Sequence, residues 1–195
     1  EKVAIFGDYD VDGASSSALM FRFLSHFGVE AEIYIPDRIF EGYGPNVAAM
    51  EQLIDRGARL IVTVDCGSTS HEALAAAAAK GCDVVVIDHH QMAHELPQAV
   101  ALVNPNREDD LSGQGHLCAA GVVFMVLVAT ARLLREQGDR RAGTLDLLNW
   151  IDLVALATVC DVVPLKGLNR AYVVKGLLAA RHMSNAGLAA LFRKA

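Results

Sequence analysis

The chain has 195 residues, 53% of them hydrophobic and 21% charged, which is long enough for one filled core and excludes wholesale disorder. No apolar run approaches the roughly 18 residues of a membrane span, and the four cysteines (Cys66, Cys82, Cys118, Cys160) form no Cys-x-x-Cys pair, which excludes a zinc ribbon and suits free thiols in a reducing, cytoplasmic compartment. Net charge is −6 and there is no basic run, so composition alone speaks against a nucleic-acid partner.

The chain opens directly in a strand-like run, without Met or a signal-peptide pattern, as expected of a domain from a longer chain that extends at both ends. Residues 3–6 read as the first strand, ending at Gly7-Asp8. Residues 14–27 carry apolar side chains at helical spacing and stop at Gly28. Residues 31–35 alternate like a strand, residues 46–56 read as a helix closed by Gly57, and residues 60–64 form a β-branched strand. A helix over 70–80, stopped by Gly81, precedes strands over 84–87 and 100–103. Continuous apolar strands separated by helices predict an α/β fold: a mostly parallel five-stranded sheet with helices on both faces. The polar, Gly-rich stretch 108–115 reads as a surface loop. Helices are predicted over 117–136, 144–159, 168–181 and 187–194. The expected organisation is one domain over 1–195, with a sheet portion at 1–107 and a helical portion at 115–195.

Ligands of an open parallel sheet bind beyond the carboxyl ends of its strands. Here those ends carry acids. Asp8, Asp10 and Asp12 follow the first strand, Asp65 follows residues 60–64, and Asp88-His89-His90 follows residues 84–87. A single Asp at a strand end is often only a helix cap or turn former. Several carboxylates gathered in one cleft, however, are costly unless cations neutralise them. Oxygen ligands with one or two imidazoles suit Mn2+ or Mg2+, and two such ions about 3.5–4 Å apart suit phosphodiester hydrolysis. Asp8–Gly13 also matches the opening of an EF-hand loop. The twelfth position of that loop is Leu19 rather than Glu, and a strand rather than a helix precedes it, so that reading fails. The spacing of Gly7 and Gly13 likewise fails the dinucleotide-binding fingerprint.

These residues resemble the DHH superfamily of phosphoesterases over nearly the whole chain. Four motifs in order carry the resemblance: Asp8-Tyr9-Asp10-Val11-Asp12-Gly13, Asp65-Cys66-Gly67, Asp88-His89-His90, and Asp161 within Cys160-Asp161-Val162-Val163-Pro164-Leu165. Phe6 stands where several superfamily branches place a His, and Asp8 is an additional acid. Together with Ile35-Pro36-Asp37-Arg38, Glu41-Gly42-Tyr43-Gly44 and Leu117–Val122, this pattern resembles the branch of single-strand-specific exonucleases. The resemblance implies a two-metal phosphodiesterase with Mn2+ or Mg2+, cutting single-stranded DNA from 5′ to 3′ in repair and recombination. It implies Asp8, Asp10, Asp12, Asp65, His89 and Asp161 as metal ligands, with Asp65 shared between two ions. His90 is then the catalytic group facing the phosphate, and Asp88 orients a histidine. Arg38, Asn169 and Arg170 are candidate phosphate contacts.

Setting the six metal-site acids (Asp8, Asp10, Asp12, Asp65, Asp88, Asp161) aside brings the net charge from −6 to zero, so the acidic balance is the site itself. Family members of this branch carry a second domain that helps hold the nucleic acid. Single-strand-binding protein or a helicase are further candidate partners, with the protein a monomer and no membrane involved. Two alternatives are an oligoribonuclease or cyclic-dinucleotide phosphodiesterase of the same superfamily, and an idle replication scaffold.

Overall fold

The core strands are apolar on consecutive residues because both faces of their sheet are covered. In β1 (Lys2–Gly7), Val3 and Ile5 enter one buried cluster while Ala4 and Phe6 enter the other. The structure, a computed structural model, describes residues 2–194; Glu1 and Ala195, the outermost residues of the expected domain, lie outside the described residues. The sheet contains β1, β2 (Ala31–Tyr34), β3 (Ala58–Val64), β4 (Asp83–Ile87) and β5 (Ala101–Val103). All neighbouring pairs are parallel and the order is β2-β1-β3-β4-β5. The chain leaves β1 toward β2 on one side and returns to β3 on the other. The β1–β3 boundary is therefore the switch point at which such sheets open a crevice.

Helix α1 (Val11–His26) covers one face, joined there by α4 (Ala119–Glu136), α6 (Ile151–Cys160), α7 (Gly167–Ala180) and α8 (Ala186–Lys194). Helices α2 (Val47–Asp55) and α3 (His71–Ala79) cover the other. Asn46 caps α2 through a bond from the Ala49 amide at 2.9 Å. No helix among the described residues is long and apolar enough to cross a membrane.

The single helix expected over 144–159 is corrected. The segment instead holds the end of a short helix, α5 (Arg140–Thr144), then a 3-10 turn at Leu147–Trp150, and only then α6. Leu145 is extended (φ −79°, ψ 119°), and the Asp146 carboxylate accepts from the Leu148 amide at 3.0 Å. This places both Leu145 and Leu147 in the core, which two residues of one continuous helix turn do not achieve.

Gly176 of α7 lies against α6, where a Cβ would overlap the Ala155 methyl and stand 2.6 Å from the Ile151 carbonyl oxygen. Gly176→Ala gains helix propensity, yet we expect it to destabilise the protein by roughly 1–3 kcal/mol, the cost of overpacking. A urea midpoint equal to or above that of the wild type would show that α6 and α7 separate without cost.

Candidate metal centre

β1 turns into α1 within three residues, and two glycines make that possible. A Cβ on Gly7 would overlap the Ser17 hydroxyl, and one on Gly13 would stand 2.6 Å from the Asp8 carbonyl oxygen. The three acids of this turn then diverge. Asp8 is buried and accepts from the Tyr9 amide at 2.8 Å. Asp10 caps α1 through the Gly13 amide at 2.9 Å. Asp12 points inward, and its two oxygens accept from Ala119 and Ala120 amides at 2.6 and 2.8 Å. Those amides begin α4, whose own N-cap, Cys118, offers no side-chain acceptor. Asp12 thus joins the sheet half to the helical half.

β3 delivers Asp65 in a left-handed conformation, φ 63°, followed by Gly67 at φ 108°. Asp65 is buried, and its Oδ1 has no hydrogen-bond partner among the described residues. β4 delivers Asp88, His89 and His90. Asp88 Oδ1 accepts from the His89 amide (2.7 Å), the His90 amide (3.2 Å) and His90 Nδ1 (2.7 Å), while Oδ2 accepts from the Ser68 amide (3.1 Å). His89 engages the Leu117 carbonyl through Nδ1 at 3.0 Å. Its Nε2 therefore faces the acids, 3.3 Å from Asp65 Oδ1 and 3.8 Å from Asp12 Oδ2. Asp161, at the end of α6, brings Oδ2 to 3.9 Å from His89 Nδ1, and that buried oxygen also has no hydrogen-bond partner among the described residues.

Three overlapping groups result, each with ligand atoms within 4.8 Å of one another: Asp8, Asp10 and Asp65; Asp12, His89 and Asp161; and Asp65, His89 and His90. Two oxygen-rich triads, one of acids alone and one with the His89 imidazole, are linked by the third group, which shares Asp65 with the first and His89 with the second; with two buried carboxylate oxygens left without hydrogen bonds, they fit a pair of hard divalent ions. Asp88 belongs to none of the groups, and its oxygens accept from Ser68, His89 and His90 instead.

The electrostatics divide these residues in the same way. Burial raises the carboxyls of Asp8, Asp65 and Asp161, and raises Asp12 to about 6. Burial also opposes ionisation of Asp88, but bonds from His90 and Ser68 outweigh it and hold this carboxylate well below the usual range. The imidazole of His89 is disfavoured as a cation by burial, yet its contact with Asp65 and the field of Asp12, Asp65 and Asp161 raise it to about 9. Its imidazolium thus neutralises part of the acid cluster. His90 is raised by its bond to Asp88. Burial, together with the field of Asp88, Asp65 and Asp8, raises Tyr43 and keeps its hydroxyl a proton donor.

Of the expected phosphate contacts, Arg38 lies at the rim, its guanidinium 4.8 Å from the Tyr9 ring centroid. Asn169 is corrected: it is fully buried, and its amide donates to the His116 carbonyl (2.7 Å) and the Pro164 carbonyl (3.0 Å), so it has no donor left for a phosphate. It ties the loop after Asp161 to the segment that carries Leu117. Arg170 is exposed, and its Nε donates to the Leu165 carbonyl at 3.2 Å.

The sequence assigns no role to several residues around the site. Tyr43 donates to the Asp65 carbonyl at 3.1 Å and reaches His90 at 3.3 Å. Asn104 donates to the Ser68 hydroxyl (2.8 Å) and the His90 carbonyl (2.9 Å), and Asn106 donates to the His89 carbonyl (2.5 Å). Asn104-Pro105-Asn106 directly after a predicted strand is the signal that points to them.

The sequence model described as the DHH family, N-terminal domain, matches residues 2–158. The single-stranded-DNA-specific exonuclease RecJ of Salmonella typhimurium is 39% identical over 184 residues, covering 92% of this chain and 32% of that protein. RecJ of Bacillus subtilis is 36% identical over 193 residues, covering 99% of this chain and 23% of that protein. The chain thus spans a third or less of the length of these curated relatives. The crystal structure of RecJ from Thermus thermophilus in complex with Mn2+ superimposes with a TM-score of 0.78 at 32% identity, covering 99% of this chain and 26% of that one.

The raised imidazole sets a pH dependence. His89 is protonated up to about 9 in the folded, metal-free protein against 6.5 when unfolded, so its stabilisation is whole below 6.5 and is lost as pH rises toward 9. The raised Asp65 carboxyl acts in the same direction. Divalent ions displace these protons. We expect the metal-free melting temperature to fall between about pH 6.5 and about pH 9, and Mn2+ to raise it more at the alkaline end. Melting curves in chelator and in Mn2+ test this, and a metal-free melting temperature that climbs across the window contradicts it.

Proposed function

The chain belongs to the DHH family, and on that premise we propose that it is the nuclease domain of a metal-dependent, single-strand-specific exonuclease that removes nucleotides from the 5′ end of DNA in repair and recombination. The observation that carries this reading is the gathering of acids from the ends of β1, β3 and α6 around the His89 that β4 delivers, with Asp65 Oδ1 and Asp161 Oδ2 left without a hydrogen bond among the described residues. In this reading residues 1–195 form one domain, working in the cytoplasm beside a second domain that shares the grip on the strand.

Asp8, Asp10 and Asp65 would hold one Mn2+ or Mg2+, and Asp12, His89 and Asp161 the other, with Asp65 between the two groups. Two such ions, when bound, would supply charge to neutralise the substrate phosphate and to acidify a water. Everything else falls to the side chains. The Leu117 carbonyl on His89 Nδ1 fixes which nitrogen meets the acids. Asp88 fixes His90 in the same way and supports its positive charge, so that Nε2 donates toward the phosphate oxygen on which charge develops or to the leaving oxygen. The Tyr43 hydroxyl steadies that ring. Arg38, over the Tyr9 ring, offers its donors to a substrate phosphate.

The decisive assay compares end-labelled single- and double-stranded DNA, and dinucleotides, with Mn2+. Release of mononucleotides from the 5′ end of single strands alone is expected. Activity confined to dinucleotides would assign the domain to the small-substrate branch of the family, and metal binding with no hydrolysis would make it a scaffold. Within the site, His90→Ala should retain most Mn2+ affinity and lose roughly 10²–10⁴-fold in kcat. His89→Ala should weaken Mn2+ binding about 10-fold or more. Calorimetry showing the reverse would exchange the two roles.

A further inference from the structure

At the rim of the site, residues 37–41 form a turn closed by its own hydrogen bonds. The Asp37 carboxylate accepts from the Ile39 and Phe40 amides at 2.8 and 3.1 Å, and the Glu41 amide donates to the Asp37 carbonyl at 2.8 Å. The Glu41 carboxylate accepts in turn from the Asp37 amide at 2.7 Å and from the Tyr34 hydroxyl. This fixed turn holds two adjacent large apolar side chains almost wholly in water: Ile39 is 85% exposed and Phe40 86%. Single exposed apolar residues are ordinary on any surface. An adjacent pair presented by a hydrogen-bonded turn is not, and its position is informative. On one side it adjoins Arg38, whose guanidinium stacks on Tyr9 beside Asp8 and Asp10. On the other it leads into Tyr43, bonded to the Asp65 carbonyl and within reach of His90.

We infer that the Asp37–Glu41 turn is a stacking platform on which Phe40, flanked by Ile39, receives an unpaired nucleobase next to the phosphodiester being cut. The inference rests on the nuclease reading of the same site. An unpaired nucleotide presents a phosphate and a bare π face, and one short turn offers a guanidinium and, two residues on, a bare aromatic ring, the pairing that single-strand binding uses. A duplex end bares only the outer face of its terminal pair and keeps that base joined to its complement, so the platform also favours single strands. A protein occupant fits poorly. Two side chains bury at most about 400 Å², against the roughly 800 Å² per partner of a stable interface, and Asp37, Arg38 and Glu41 interrupt the apolar surface.

The test uses the natural full-length protein loaded with Mn2+ and a 5′-phosphorylated oligothymidylate carrying 2-aminopurine at its 5′ end. The Ile39→Ala/Phe40→Ala double variant should lose the fluorescence quench seen on mixing and raise KM for the oligonucleotide roughly 10-fold, with the salt dependence of binding unchanged because no charge is removed. Hydrolysis of bis(p-nitrophenyl) phosphate, which has no base, should be unaltered. Phe40→Trp should restore the quench, and an oligonucleotide abasic at its two 5′-terminal positions should show equal KM with wild type and double variant. Equal KM on the intact strand, an equal loss on the abasic one, or a change in self-association by sedimentation would each overturn the platform while leaving the nuclease reading in place. If the wild type neither binds nor cuts DNA, the nuclease reading fails and the platform falls with it.

Discussion

A carboxylate taken out of water must meet a positive partner, accept hydrogen bonds or take up a proton. At the end of this sheet, that constraint separates five acids by what surrounds them. Asp88 is wrapped by amides and an imidazole and stays ionised. Asp12, Asp65 and Asp161 share a single interior imidazole, His89, and these three, with the buried Asp8, are pushed toward holding protons. A protein with no use for cations would gain by replacing such a cluster with apolar side chains. The backbone is strained at the same place. Of the three described non-glycine residues with positive φ, one is Asp65 and another is Val162, next to Asp161.

The architecture supplies these acids from independent directions and locks them together. β1 and β3 flank the switch point, so Asp8, Asp10, Asp12 and Asp65 arrive side by side. The helical half is tied in twice, by Asp12 capping α4 and by the Leu117 carbonyl on His89. Within that half the Asn169 amide joins the His116 carbonyl to the loop after Asp161. Asp161 at a helix C-terminus runs against the helix dipole. Only a nearby cation compensates it, and in the metal-free protein His89 fills that part.

Most of the sheet half was legible because its signals are local. Apolar runs of strand length and glycine stops mark β1, β3, β4 and the helices between them, and the acids stand directly at the strand ends. Motif order then brought in Asp161, which no periodicity singles out. What was hidden depends on the third dimension. Leu145 and Leu147 look like part of one helix until both must reach the core across a kink. Asn169-Arg170 at a helix start looks like a surface pair, but burial turns Asn169 inward. Tyr43, Asn104 and Asn106 act on backbone carbonyls of the site, and a carbonyl leaves no trace in a sequence.

The central claim is that the unpartnered oxygens around Asp65 and His89 exist to hold two divalent ions. Anomalous diffraction from crystals soaked in Mn2+ tests it directly. The account predicts two peaks, both contacting Asp65, one beside Asp8 and Asp10 and the other beside Asp12, His89 and Asp161. Peaks elsewhere on the protein with none at Asp65, under saturating Mn2+, would contradict it.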